Sequence, residues 1–176
     1  MQLKYCIWTM NVVFSGEVWV NQGKFGQISN ADRIMFQGTF TNRMDSQGRI
    51  ALPPRYREAF RPGIVLTKSY DSCVNIYTLS QWQSHSEGFS FGSDTRSKNR
   101  LLMRMMFASA FESSLDRQGR VLIPNQLREY AGLQVQDEVV FAGVGPVIEI
   151  WSHKNWLEQE ELIASEGWRI AESTEF

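Results

Sequence analysis

At 176 residues with 43% hydrophobic content, the chain can hold one ordinary domain or two very small ones around a sizeable core. It has no run of about 18 apolar residues and its first residues lack the order of a secretory signal, so a membrane-spanning helix is excluded and a cytoplasmic location is expected. A net charge of -1 and a pI near 6.1 exclude a strongly basic domain of the usual nucleic-acid-binding kind.

Residues 1–34 stand outside any repeat and have no clear helical period, although 7–19 hold enough Val, Phe and Trp for a strand. They read either as an extra strand or arm or, by preference, as sequence upstream of a natural start at Met35. The region 36–83 forms a first unit. An apolar strand around Phe40 enters the turn Asp45-Ser46-Gln47-Gly48-Arg49, and residues 50–52 leave it as a second strand. Pro53 and Pro54 stop that strand, and because proline is tolerated in the first helical turn, 54–60 are expected as a short helix. Strands at 64–68 and 74–77 and a closing helix at 79–87 follow. Residues 84–106 are a linker and helix: a turn or loop at 88–93, then a helical pattern from Thr95 to about Ala108. In that helix Leu101 with Met105 and Leu102 with Met106 make an apolar stripe, and Arg100 with Arg104 a basic one.

The region 107–157 repeats the first unit. Phe40, Asp45, Gln47, Gly48, Arg49 and Pro53 recur 71 positions later as Phe111, Asp116, Gln118, Gly119, Arg120 and Pro124. Arg57-Glu58 recurs as Arg128-Glu129 at the same offset, and Ile76 and Trp82 recur as Ile150 and Trp156 after a three-residue insertion. The second unit therefore carries a helix at 124–131 ended by Gly132, strands at 139–142 and 147–151 joined by a tight turn at 143–146, and a closing helix at 152–166. Residues 158–176 are the C-terminal helix and tail. Four short strands and one short helix cannot bury much apolar surface alone, so the two copies are expected to share one core. The fold class expected is mainly β with short helices, α+β.

Charge is unevenly spread along these units. Residues 36–62 hold five arginines against one aspartate and one glutamate, a local basic patch, whereas the segment from Lys154 onward holds six glutamates against two basic residues. The acidic tail hides the patch in the total. Cys6 and Cys73 have no metal-type or disulfide spacing, and His85 and His153 lack partners at ligand or triad spacing. No enzyme, cofactor or metal site is expected.

Within each Asp-x-x-Gly-Arg loop the aspartate can accept turn N–H groups and the glycine can take a positive φ. Arg49 and Arg120 then begin a strand, from which a guanidinium can reach a phosphate or grip guanine O6 and N7. Alternatively, each aspartate pairs with its own arginine and simply holds the hairpin. These loops, together with Met35-Phe36-Gln37-Gly38, Pro54-Arg55-Tyr56-Arg57-Glu58 and the stretch Leu127-Arg128-Glu129-Tyr130-Ala131-Gly132-Leu133, closely resemble the MraZ family. The resemblance covers nearly everything from Met35 to the end.

The resemblance implies two tandem AbrB/MraZ-type β-hairpin repeats forming one double-psi or swapped-hairpin-like barrel with closing helices. It further implies a ring-shaped homo-oligomer, cytoplasmic and nucleoid-associated, that binds double-stranded DNA at short direct repeats upstream of the division and cell-wall gene cluster. Arg49, Arg120, Arg43 and Arg55 are the DNA-contact candidates, with Asp45, Gly48, Asp116 and Gly119 supporting the loops. Arg57 and Arg128, each beside a glutamate, rank below them as phosphate contacts or surface pairs. Gln37 departs from the arginine of many relatives, so a phosphate contact there is not carried over. A purely structural or antitoxin-like ring, using Trp151, Trp156 and Trp168, is the alternative.

Overall fold

The computed structural model describes residues 34–88 and 97–173; the strand expected at 7–19, Cys6 and most of the 88–93 loop lie outside them. The first unit contains β1 (Phe36–Arg43), β2 (Arg49–Ala51), a 3-10 turn (Pro54–Tyr56), β3 (Ile64–Lys68), β4 (Val74–Thr78) and α1 (Leu79–Gly88). After α2 (Ser97–Phe107) the second supplies β5 (Phe111–Ser113), β6 (Arg120–Leu122), α3 (Asn125–Ala131), β7 (Glu138–Gly145), β8 (Val147–Ser152) and α4 (His153–Ser173).

These strands pair across the units. A six-stranded antiparallel sheet runs β1-β7-β8-β4-β3-β5, and β2 and β6 form a separate two-stranded ribbon. β1 leaves its own unit to pair with β7, while its counterpart β5 pairs with β3 of the first unit. The order is therefore a palindrome about the β4–β8 pair, where the equivalent residues Asn75 and Glu149 face each other. In the ribbon, Ile50 faces its own counterpart Val121. An approximate two-fold axis relates the halves, and the exchange of β1 and β5 makes the barrel a swapped one.

Period-two alternation sorts side chains between two layers. Ile64 and Leu66, Val74 and Ile76, Val139 and Phe141, and Ile148 and Ile150 face the main core, which the ribbon closes with Ile50 and Val121. On the opposite face Cys73, Val140, Ala142 and Trp151 form a smaller cluster with Trp156 of α4 packed on it. Helical cover on that face explains why β3 and β4 are buried almost throughout, unlike the exposed β1. Phe36 anchors the swapped strand: it is fully buried, stacked on Phe60 at 5.2 Å and edge-on to Tyr56 at 5.1 Å.

Two elements depart from the expected form. Residues 54–60 make successive three-residue turns, with Arg57, Ala59, Phe60 and Arg61 N–H donating to carbonyls three positions back. Pro62 ends the segment: it has no N–H to continue a helical ladder, and it disfavours the α conformation at Arg61. The equivalent α3 is a true helix ended by Gly132 at φ +65°, where Leu133 N–H reaches the Arg128 carbonyl at 2.9 Å. The turn expected at 143–146 shrinks to Pro146, because β7 continues through Gly145 to match the full length of β1.

Candidate nucleic-acid interface

Both motif loops fold on the same hydrogen-bond scaffold. Asp45 Oδ1 accepts the N–H of Gln47 and of Arg49, each at 2.9 Å, and Asp116 Oδ1 accepts those of Gln118 and Arg120, also at 2.9 Å. The loop base closes through Asp45 N–H to the Arg49 carbonyl at 2.8 Å and Asp116 N–H to the Arg120 carbonyl at 2.9 Å. Gly48 and Gly119 have φ of +78° and +74°, a region an L side chain enters only with strain. The Arg49 backbone N–H, and the Arg120 one in the second loop, are the main causes holding the aspartate carboxyls below their usual range; partial desolvation opposes them.

The ribbon sets the loops side by side. Leu52 N–H donates to the Gly119 carbonyl and Ile123 N–H to the Gly48 carbonyl, both at 3.0 Å, so each loop is tied to the strand leaving the other. Arg57 and Arg128 reinforce the exchange. Arg57 donates Nε to the Leu52 carbonyl at 2.9 Å, and its guanidinium lies so close to Gly119 that a Cβ there would fall 2.5 Å from Nε. Arg128 donates Nε to the Ile123 carbonyl at 3.1 Å and packs over Gly48. Surface pairs between these arginines and their adjacent glutamates do not form: Glu58 pairs with Arg61 at 2.7 Å, and Glu129 accepts from Asn125. Sequence reasoning missed that both arginines serve as clamps between the loops. A signal was present, since each recurs at the same offset as the motif glycine it covers.

The motif arginines differ. Arg120 donates to Asp116 at 2.8 Å and lies 3.4 Å from Asp45, so it is held between both aspartates. Arg49 pairs with neither; its guanidinium hydrogen-bonds the Gln47 side chain. Arg43 is exposed and donates Nε to the Gln136 carbonyl at 2.5 Å. Arg55, also exposed, lies over the rings of Tyr56 and Phe40 at 5.2 and 5.8 Å and makes no hydrogen bond to either loop among the described residues. Of the tryptophans, Trp151 is buried with Nε1 on Glu149, whereas Trp168 of α4 is 79% exposed.

No group of three or more potential metal ligands occurs among the described residues, and no described helix is long and apolar enough to cross a membrane.

The family model described as "MraZ protein, putative antitoxin-like" matches twice, over residues 35–104 and 106–176. A protein of Thermomicrobium roseum named transcriptional regulator MraZ is 46% identical over 138 residues, covering 78% of this chain and 96% of that protein. Proteins of the same name from Dehalococcoides mccartyi and Caldicellulosiruptor bescii are 37% and 43% identical, covering 80% and 71% of this chain and 99% and 86% of their own lengths. With one clamped Asp-x-x-Gly-Arg loop in each matched segment, this chain belongs to the MraZ family.

Proposed function

We propose that this chain is a sequence-specific, DNA-binding transcription regulator that reads short direct repeats upstream of the division and cell-wall gene cluster, including its own gene, as a ring-shaped homo-oligomer. The observation that carries this reading is the pair of hydrogen-bonded loops set side by side on one ribbon, with Arg49 ion-paired to neither carboxylate. A guanidinium on a preformed loop loses little freedom on binding, and one bidentate grip on guanine discriminates by about 1–3 kcal/mol. In this reading Arg49 contacts bases and Arg43 and Arg55 contact the backbone. Arg120 acts beside them, its reach limited by its carboxylate partners, while Asp45, Gly48, Asp116 and Gly119 hold the shape.

Assembly supplies what one subunit lacks. Few phosphates can be neutralised by a single near-neutral chain, whereas a closed head-to-tail ring repeats the loop at regular steps suited to tandem direct repeats. Two helices have matching character for such a contact. α2 carries three basic residues and no acidic one, α4 carries five glutamates against two basic residues, and Leu101, Ile163 and Trp168 are exposed on them. The relatives' shared name, transcriptional regulator, supports the same role.

Nuclease footprinting over the protein's own upstream region tests the proposal. Wild type is expected to protect evenly spaced repeats, and Arg49→Ala to weaken protection at least tenfold with the assembly intact. Absence of protection by wild type at any upstream site points instead to a partner-binding ring.

A further inference from the structure

Beside the second loop lies a recess of about 310 Å³ whose walls come from both repeats. Arg57 and Arg61 enter from the turn segment of the first, and Arg117 from the second loop itself. Two carboxylates, Glu58 and Asp116, also line it, and each has a cationic partner, so what separates them is how firmly the pair is held. Asp116 accepts two backbone N–H groups and Arg120 in a partly buried pair, whereas Glu58 meets Arg61 in a pair whose side chains are 76% and 77% exposed, weak enough for Arg61 to exchange the carboxylate for a phosphate. Arg57 is fixed in the wall by its bond to the Leu52 carbonyl. Arg117 is exposed and makes no ion pair among the described residues.

The equivalent place beside the first loop is different. At the same offset Arg61 becomes Gly132 and Arg117 becomes Ser46, so two of the three arginines have no counterpart. The first loop instead has Arg43 where the second has Ser114, and a motif arginine bonded to Gln47 with no carboxylate ion pair. Positive charge is thus shared out unequally between two loops of one backbone shape.

We infer that this recess is a phosphate site: Arg57, Arg61 and Arg117 receive one DNA backbone phosphate beside the second loop, while Arg49 of the first loop reads bases. Arginines lining one recess from separate segments suit the several oxygens of a phosphate, whereas a base edge takes a single planar fork. Among the described residues no aromatic side chain lines the recess to stack a base. The second loop then works through Arg117 and the partner repeat's arginines, since its own Arg120 is held by two partly buried carboxylates and Arg61 by a single exposed one. The inference rests on the DNA-binding reading above.

Fluorescence anisotropy of the full chain tests it, using one duplex of the upstream region and one scrambled duplex, each over a salt series. Arg61→Ala and Arg117→Ala are expected to weaken binding to both duplexes by the same factor, roughly three- to tenfold each, and to lower the slope of log affinity against log salt by about one per arginine. Both side chains are exposed, so thermal melting should confirm that the variants fold as wild type. Wild-type binding with unchanged affinity and slope in both variants overturns the phosphate site and leaves the DNA-binding reading standing. A loss confined to the upstream duplex also overturns it, because that would mark base recognition. Failure of wild type to bind either duplex overturns both.

Discussion

Single atoms decide how each loop holds its shape. A methyl carbon added at Gly48 would stand 3.0 Å from the Arg128 guanidinium, and one added at Gly119 only 2.5 Å from Arg57 Nε. Both substitutions to alanine also force an L residue to positive φ. Gly119→Ala should therefore cost about 1–3 kcal/mol and more than Gly48→Ala, measured by urea unfolding. Equal stability to wild type would show the clamp to be slack. The aspartates add a pH dependence of definite sign. Their folded pKa values lie below the ordinary 3.8, so their stabilisation is fully present above about pH 4 and is lost as pH falls through the lowered folded values. Asp116→Asn keeps a side-chain oxygen for the turn N–H groups but cannot ionise, so its acid limb should be shallower than that of wild type in urea midpoints taken from about pH 2.5 to 6.

At the level of strands, the close approach of β1 to β7 is the point of greatest sensitivity. Gly38 faces Gly143, and a Cβ on Gly143 would stand 2.4 Å from the Gln37 backbone nitrogen. Backbone cannot yield as a flexible side chain can, so Gly143→Ala should cost roughly 1–3 kcal/mol. Hydrogen exchange should show the loss concentrated in the amides of β1. Protection spread evenly over the sheet would argue against a local detachment. The tie matters to the site because β1 runs directly into the first loop, and the Asp137 carbonyl accepts the Met44 N–H at its end.

Across the whole molecule, exchange of β1 and β5 joins two repeats into one cooperative unit. Ile50 and Val121 meet in the ribbon and both belong to the main core, so neither repeat retains a closed interior alone. A fragment covering 36–83 should lack stable structure by circular dichroism, and the full chain should unfold in a single transition by tryptophan fluorescence and far-ultraviolet dichroism. A folded fragment would contradict the shared core.

The strand alternation and the turn chemistry of Asp45 and Gly48 were legible because they depend on neighbours two to four positions away, and the duplication because the same residues recur in the same order 71 positions on. Every strand of the repeats was placed this way, with ends adjusted by a few residues where a partner strand such as β1 extended β7. Which strand joined which was not legible: β1 pairs with β7 about a hundred positions away, and local pattern carries no register between distant segments. The unequal fates of Arg49 and Arg120 lie in the same category. The two sit in nearly identical sequences, but only packing of the ribbon brings Asp45 within 3.4 Å of Arg120 and leaves Arg49 beside Gln47. Local chemistry set each loop's shape, whereas the long-range packing of the ribbon determined that Arg120 reaches the other loop's aspartate and Arg49 does not.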